Sequence, residues 1–236
     1  EQTRERARRI DPLGQSSYRI YAVSPKERMI TLDDKLYALM ETDADAAHRC
    51  TFIEWRRMML ALCREEDGLS AQEALTRFGD LLTRAGVDRQ SVVIGQSDLR
   101  EARAQMGASL CEAVYAARAA KLCGKAELAA HELGLYAYLF PMSENPFVCD
   151  RCRRVLSAIR EYDAQNHTNL EQTALVYVKE NMEIAAAAKV LFQHPNTVRY
   201  RLSKIQRIIG MEDDPLFAPM LSLTVSLSRI LAEGQV

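Results

Sequence analysis

The chain has little that would place it in a membrane or give it an obvious chemistry. No apolar run approaches the ~18 residues a spanning helix needs, and the opening EQTRERARRI is charged rather than signal-like. A cytoplasmic protein is therefore expected. There is one tryptophan, and the four histidines are scattered, so no His cluster suggests a metal. No Gly-rich phosphate loop and no nucleophile elbow is present. Charge of one sign is also missing: 31 Lys/Arg stand against 32 Asp/Glu, a net of −1. A global electrostatic footprint for nucleic acid is thereby excluded, but a local one is not. The six cysteines are dispersed, and in a chain without a signal peptide they read as reduced thiols. Cys149 and Cys152 form one C-x-x-C, which is half a metal site with no second half nearby. No cofactor is expected. The chain starts on Glu rather than Met and reads as part of something longer.

What is present is concentrated between Glu183 and Ile209, EIAAAAKVLFQHPNTVRYRLSKIQRII. A short, small-residue helix (Ile184, Ala185 to Ala188, Val190, Leu191) is followed by a tight turn. A second helix then opens with His194 as cap and Pro195 in the first turn, where a missing N–H costs nothing. At roughly 100° per residue, Val198, Leu202, Ile205 and Ile209 fall on one stripe. Asn196, Tyr200, Ser203, Lys204 and Arg207 fall opposite, with Thr197, Arg199 and Arg201 on the flanks. From His194 to Arg207 there is no Asp or Glu. One face is greasy, and the other carries uncompensated cations and hydrogen-bonding side chains. A helix in a DNA major groove needs both: cations for phosphates, Asn or Arg for base edges. The Ala-rich first helix permits close crossing of the pair. A solvated helix on a bundle is the competing reading.

Before that unit the pattern alternates. Strands are predicted at Tyr18–Val23, Cys50–Glu54, Arg57–Cys63, Ser91–Ile94 and Leu128–His131. Helices are predicted from Thr31, over 70–84, from Ser97-Asp98 to Cys123, and from Leu133 to Pro141. The order is β-α-β-β-α-β-α-β, with a central hairpin that makes the sheet partly antiparallel. From Pro146 onward only helices are predicted: one to about Asn166, one capped by a Thr168/Glu171 box and running to about Asn181, the two-helix unit, and a last helix Leu216–Leu231. In that last helix Leu216, Leu223, Leu227, Ile230 and Leu231 make a broad apolar surface. The fold class is an α+β N-terminal domain (a mixed sheet with helices) followed by an all-α domain. The boundary falls between Pro141 and Pro146, giving domains 1–140 and 146–236.

The segment Tyr162–Leu231 resembles the C-terminal helix-turn-helix domain of PucR/CdaR-family bacterial transcriptional regulators. The match is carried by His194-Pro195-Asn196-Thr197-Val198-Arg199-Tyr200-Arg201-Leu202, by Tyr162-Asp163 and Ile205, and by Gly210 followed by an Asp-rich step. The middle domain of that family is resembled at Val93-Ile94-Gly95, Arg100-Glu101-Ala102, Glu112-Ala113 and Leu133-Gly134-Leu135-Tyr136. The resemblance implies a degenerate GGDEF-like fold for 1–140 and a sequence-specific regulator of a catabolic or biosynthetic operon. It implies double-stranded DNA as partner and an effector bound by an N-terminal domain missing here. DNA contacts carry over to His194, Asn196, Thr197, Arg199, Tyr200, Arg201 and Lys204. The helical wheel favours Asn196, Tyr200 and Lys204. For Arg201 it leaves base reading, a phosphate contact and an intramolecular ion pair equally open.

Reading two half-sites calls for a homodimer. The alternative is a nucleotide-binding or cyclase-like signalling protein. Its hairpin would fall at Ile53-Glu54-Trp55-Arg56-Arg57, which has no glycine and one carboxylate. Phosphate and Mg²⁺ would need more, so the chain is expected not to be an enzyme.

Overall fold

The computed structural model describes residues 17–26, 32–55, 57–65, 68–101 and 105–233. The chain divides into two compact units, residues 1–137 and 138–236.

The first unit is built on a five-stranded sheet in the order β2-β3-β1-β4-β5. The strands are β1 (Tyr18–Pro25), β2 (Cys50–Trp55), β3 (Met58–Arg64), β4 (Val92–Gln96) and β5 (Glu127–Ala129). β1 runs antiparallel to β3 and β4, the β2–β3 hairpin is antiparallel, and β5 lies parallel to β4. The predicted mixed sheet with a central hairpin is therefore what forms. Helices α1 (Asp33–Thr42), α2 (Ala44–Arg49), α3 (Ala71–Arg84) and α4 (Met106–Leu122) are described in the same unit. α3 starts on a capping box in which Ser70 and Glu73 bond each other's backbone N–H. Its Leu75, Phe78, Leu81 and Leu82 join the core under β1, where Tyr21 and Phe78 stack with ring centroids 4.0 Å apart.

α4 lies against β4 and β1 through alanines: Ala113, Ala116, Ala117 and Ala120 are wholly buried. The approach is closest at Gly95. A Cβ there would lie 2.1 Å from the Ala113 carbonyl oxygen and 2.2 Å from the Ala117 nitrogen. Only a residue without Cβ lets helix and strand meet at this spacing.

Several sequence expectations are corrected. The helix expected from Ser97-Asp98 is described only from Met106. Ser97 instead serves the sheet, its hydroxyl accepting the Ile20 N–H at 2.8 Å. α2 was not anticipated, being six residues long and too short for a periodicity signal. Cys50 and Cys63, expected as free thiols, form a disulfide. They stand directly opposite each other in the β2–β3 register, where side chains on neighbouring strands meet. The helix expected to stop at Pro141 runs through it as α5 (Tyr136–Ser143). A proline this near a helix end forfeits only one backbone bond.

The second unit is helical: α6 (Pro146–Asn166), α7 (Leu170–Lys179), α8 (Ile184–Val190), α9 (Pro195–Ile209) and α10 (Phe217–Glu233). Its core gathers Val155 and Ile159 of α6, Leu170, Ala174 and Tyr177 of α7, Ala187 and Ala188 of α8, Val198, Leu202 and Ile205 of α9, and Phe217 and Leu221 of α10. Of the apolar surface expected on the last helix, Leu227 and Ile230 are buried, Leu223 and Leu231 are half-buried, and Leu216 is exposed, one residue before the helix starts.

Candidate nucleic-acid interface

α8, the turn 191–194 and α9 form a helix-turn-helix. Ala187 and Ala188 bury completely or nearly so. Their small side chains bring α8 against α9. His194 caps α9, its Nδ1 accepting the Asn196 N–H at 3.2 Å, and Pro195 occupies the first turn. The helix ends on Gly210, left-handed at φ +70°, with the Met211 N–H bonded back to the Gln206 carbonyl at 2.8 Å. That is the hydrogen-bond pattern of a Schellman stop.

The face away from the core carries His194, Asn196, Arg199 and Tyr200, all exposed, with Thr197 half-buried at its margin. Tyr200 is 68% exposed. Asn196 Oδ1 accepts from Arg199 Nη1 at 2.8 Å, so amide and guanidinium are presented together, one helical turn apart. Among the described residues Arg199 has no acidic partner. Arg207, further along, is paired with Glu212 at 2.8 Å.

Arg201 and Lys204 are placed differently. Arg201 is half-buried and donates through Nη1 to the Thr173 hydroxyl of α7 at 3.1 Å. Lys204 is half-buried too, its Nζ 5.2 Å from the centre of the Tyr162 ring of α6. Both cations reach back to the helices that carry α9. The wheel had put Lys204 on the outer face and Arg201 on its flank, but it could not show that α6 and α7 flank α9 and offer partners there.

Asp163, which the sequence marks only as part of the Tyr162-Asp163 motif, organises this support. Its carboxylate accepts the Leu170 N–H (2.8 Å), the Glu171 N–H (2.9 Å) and the Thr168 hydroxyl (2.6 Å). It thereby caps α7 from the preceding helix. The expected Thr168/Glu171 capping box does not form: Thr168 donates to Asp163, and the Glu171 side chain pairs with Arg160 instead. The fold-back is made by His167, left-handed at φ +52°, which ends α6. Burial pushes the Asp163 carboxyl up, but the Glu171 N–H, the Thr168 hydroxyl, the Leu170 N–H and the Arg201 charge outweigh it and hold it below the ordinary value.

The C-x-x-C thiols are both buried. Cys149 donates to the Ser143 carbonyl at 3.0 Å, and burial, then Cys149, pushes the Cys152 thiol up. No group of three or more His, Cys, Asp or Glu among the described residues is arranged to hold a metal. No helix among them is long and apolar enough to cross a membrane.

Residues 170–223, from the start of α7 into α10, match the family described as the PucR C-terminal helix-turn-helix domain. The chain is 28% identical over 111 residues to the proline-responsive transcriptional activator PutR of Bacillus subtilis (strain 168), covering 46% of this chain and 27% of that protein. It is 31% identical over 81 residues to the DNA-binding transcriptional activator AdeR of the same organism, covering 34% of this chain and 19% of AdeR. The match thus spans about a quarter or less of these relatives' length. The crystal structure of a regulator of polyketide synthase expression from Bifidobacterium adolescentis aligns over 91% of this chain and 81% of its own, with 19% identity and a TM-score of 0.39. With the acid-free, capped helix α9 seated on α7 and α8, residues 170–223 are a PucR C-terminal helix-turn-helix domain.

Proposed function

We propose that the chain is the DNA-reading part of a sequence-specific transcriptional regulator, with α9 entering the major groove. The observation that carries this is the outer face of α9: His194, Asn196, Arg199 and Tyr200 stand exposed on a helix with no acid between His194 and Arg207. In this reading Arg199 neutralises phosphate, Asn196 reads a base edge, and His194, Thr197 and Tyr200 supply further donors and acceptors. Arg201 and Lys204 hold the helix at its angle rather than touch DNA. The PutR and AdeR relatives, both transcriptional activators by name, point the same way.

Two copies related by a two-fold axis would present two α9 helices to half-sites one DNA turn apart. The first unit serves as a non-catalytic, GGDEF-like domain, and an effector acts through a further domain. A cytoplasmic location follows from the DNA target.

The test is selection of bound fragments from a random-sequence DNA pool at stated salt. Enrichment of a two-fold symmetric site is expected. Asn196→Ala should relax preference at one base position per half-site, worth about 1–3 kcal/mol of discrimination. A pool that emerges no different from its input would sink the proposal.

A further inference from the structure

Phe192 has no part in the helix-turn-helix as described so far. It lies in the turn, two residues before the cap of α9, with its backbone left-handed at φ +53° and the residue 92% exposed. Each feature works against the folded chain. A side chain bearing a Cβ is disfavoured in the left-handed region, and glycine is not. A phenyl ring in water gains nothing from burial. The turn does not need Phe192 as an anchor, because its neighbour Leu191 already packs against the core. The backbone is fixed without the ring as well: the Phe192 N–H bonds to the Lys189 carbonyl and the Gln193 N–H to the Ala188 carbonyl. So neither local conformation nor core packing accounts for phenylalanine here.

Its position does. The ring projects from the turn that leads into His194 and Asn196, the end of α9 that meets base edges in this kind of motif. Every other exposed side chain from Gln193 to Tyr200 carries a polar group. We infer that Phe192 is a separate, apolar DNA contact, seated against the non-polar part of a nucleotide beside the residues that Asn196 reads. That part is the C5-methyl of a thymine, which is open in the major groove and accepts phenylalanine, or the face of a deoxyribose. The exposed ring then gains its burial only in the complex. This inference rests on the DNA-binding reading above.

The experiment uses the full chain and a fragment that the wild-type protein enriches from a random pool. It also uses copies of that fragment in which each thymine in turn is replaced by deoxyuridine. Phe192→Ala and Phe192→Gly should bind the parent fragment about five- to tenfold more weakly, with Phe192→Leu between them and wild type. Phe192→Gly should melt no lower than wild type, because glycine suits the left-handed turn. Its weaker binding is then not unfolding. If the partner is a thymine methyl, one deoxyuridine copy costs wild type about fourfold and costs Phe192→Ala nothing. If it is a sugar face, every deoxyuridine copy binds as its parent does while the Phe192→Ala loss persists.

Binding of Phe192→Ala and Phe192→Gly within twofold of wild type overturns the inference, as does a clear drop in the melting temperature of Phe192→Gly. Should Asn196→Ala also leave binding unchanged, or no fragment be enriched at all, the DNA-reading proposal itself falls. Loss with Asn196→Ala but not with the Phe192 variants removes only the present inference.

Discussion

Arg201 of α9 and Thr173 of α7 are joined by a 3.1 Å hydrogen bond, with the guanidinium donating to a fully buried hydroxyl. The same hydroxyl donates to the Asn169 carbonyl at 2.7 Å, which leaves its lone pairs free to accept from Arg201. One guanidinium nitrogen of Arg201 is thereby engaged within the domain, while Arg199, two residues earlier, is exposed. The two arginines should therefore fail differently. Arg199→Ala should reduce the slope of log K against log salt by about 1, as expected for one lost phosphate contact. Arg201→Ala should leave that slope unchanged and destabilise the helical unit by about 1–2 kcal/mol. Anisotropy titrations across a salt series, paired with urea melts, separate the cases. An Arg201→Ala slope reduced as much as that of Arg199→Ala would place Arg201 on DNA.

Asp163 links stability of the helical unit to pH. Its carboxyl is held below the ordinary value in the folded state. The stability it contributes is then present above its unfolded pKa of about 3.9 and is lost as pH falls through the lower folded value. Glu65 in the first unit has the opposite sign. Burial pushes its carboxyl up, although the Tyr21 hydroxyl donates to it at 2.6 Å and Arg19 lies nearby. Acidification from neutrality toward its unfolded pKa of about 4.3 therefore strengthens that unit. Asp163→Asn should flatten the acid limb of the second unit's stability curve and cost about 1–2 kcal/mol at pH 7, because an amide keeps only one of the two oxygens that accept from α7 and loses the charge. Glu65→Gln should flatten the first unit's curve between neutrality and pH ~4. Unit-resolved hydrogen exchange against pH reads both. An unchanged acid limb in Asp163→Asn would mean the carboxylate is not what holds α7.

The elements that could be read from sequence were those set by neighbouring residues. Val198, Leu202 and Ile205 share a stripe because the helical period puts them there, and all three are buried. Ser70 with Glu73, Pro195 after His194, and Gly210 past Ile209 are local start and stop chemistry, and each does what its residue type suggests. What could not be read depended on partners distant in the chain. Thr168 and Glu171 are spaced for a capping box, but Asp163 comes within reach once His167 turns the chain back, and a carboxylate outcompetes a hydroxyl as acceptor. The inward turn of Arg201 depends on Thr173, 28 residues away. The Cys50–Cys63 pair was closer to being legible. With Trp55 opposite Met58, counting back along the hairpin brings the two cysteines face to face. Cysteine count and the lack of a signal peptide speak only to redox compartment, whereas the hairpin register decides which thiols can meet.

That disulfide makes a stoichiometric prediction. Of the six cysteines, Cys111, Cys123, Cys149 and Cys152 are free. Denatured but unreduced protein should take up four equivalents of an alkylating reagent, against six after reduction. Closing a loop between residues 13 apart restricts the unfolded chain. Reduction, or Cys50→Ser with Cys63→Ser, should therefore destabilise the first unit by about 2–3 kcal/mol and leave the helical unit's exchange protection intact. Six equivalents without reductant would show the pair open.

Gly95 carries the sharpest stability prediction, because the obstacle to a side chain there is backbone rather than a movable side chain. A methyl would sit inside contact distance of the Ala113 carbonyl oxygen and the Ala117 nitrogen, the latter only 2.2 Å away. Neither atom can rotate aside. α4 must then lift off β4, and with it go Ala113, Ala116 and Ala117, which have no exposed surface at all. Val93, two residues back along β4 and so on the same face as Gly95, would lose its cover as well. Gly95→Ala should therefore cost about 3 kcal/mol or more, at the upper end for overpacking a close-packed interior. Ala117→Gly, which leaves that backbone approach as it is, should cost only about 1 kcal/mol through helix propensity. Because the clash lies within residues 1–137, hydrogen exchange in Gly95→Ala should rise across β4 and α4 first. A Gly95→Ala protein as stable as wild type would show that helix and strand do not meet at this spacing.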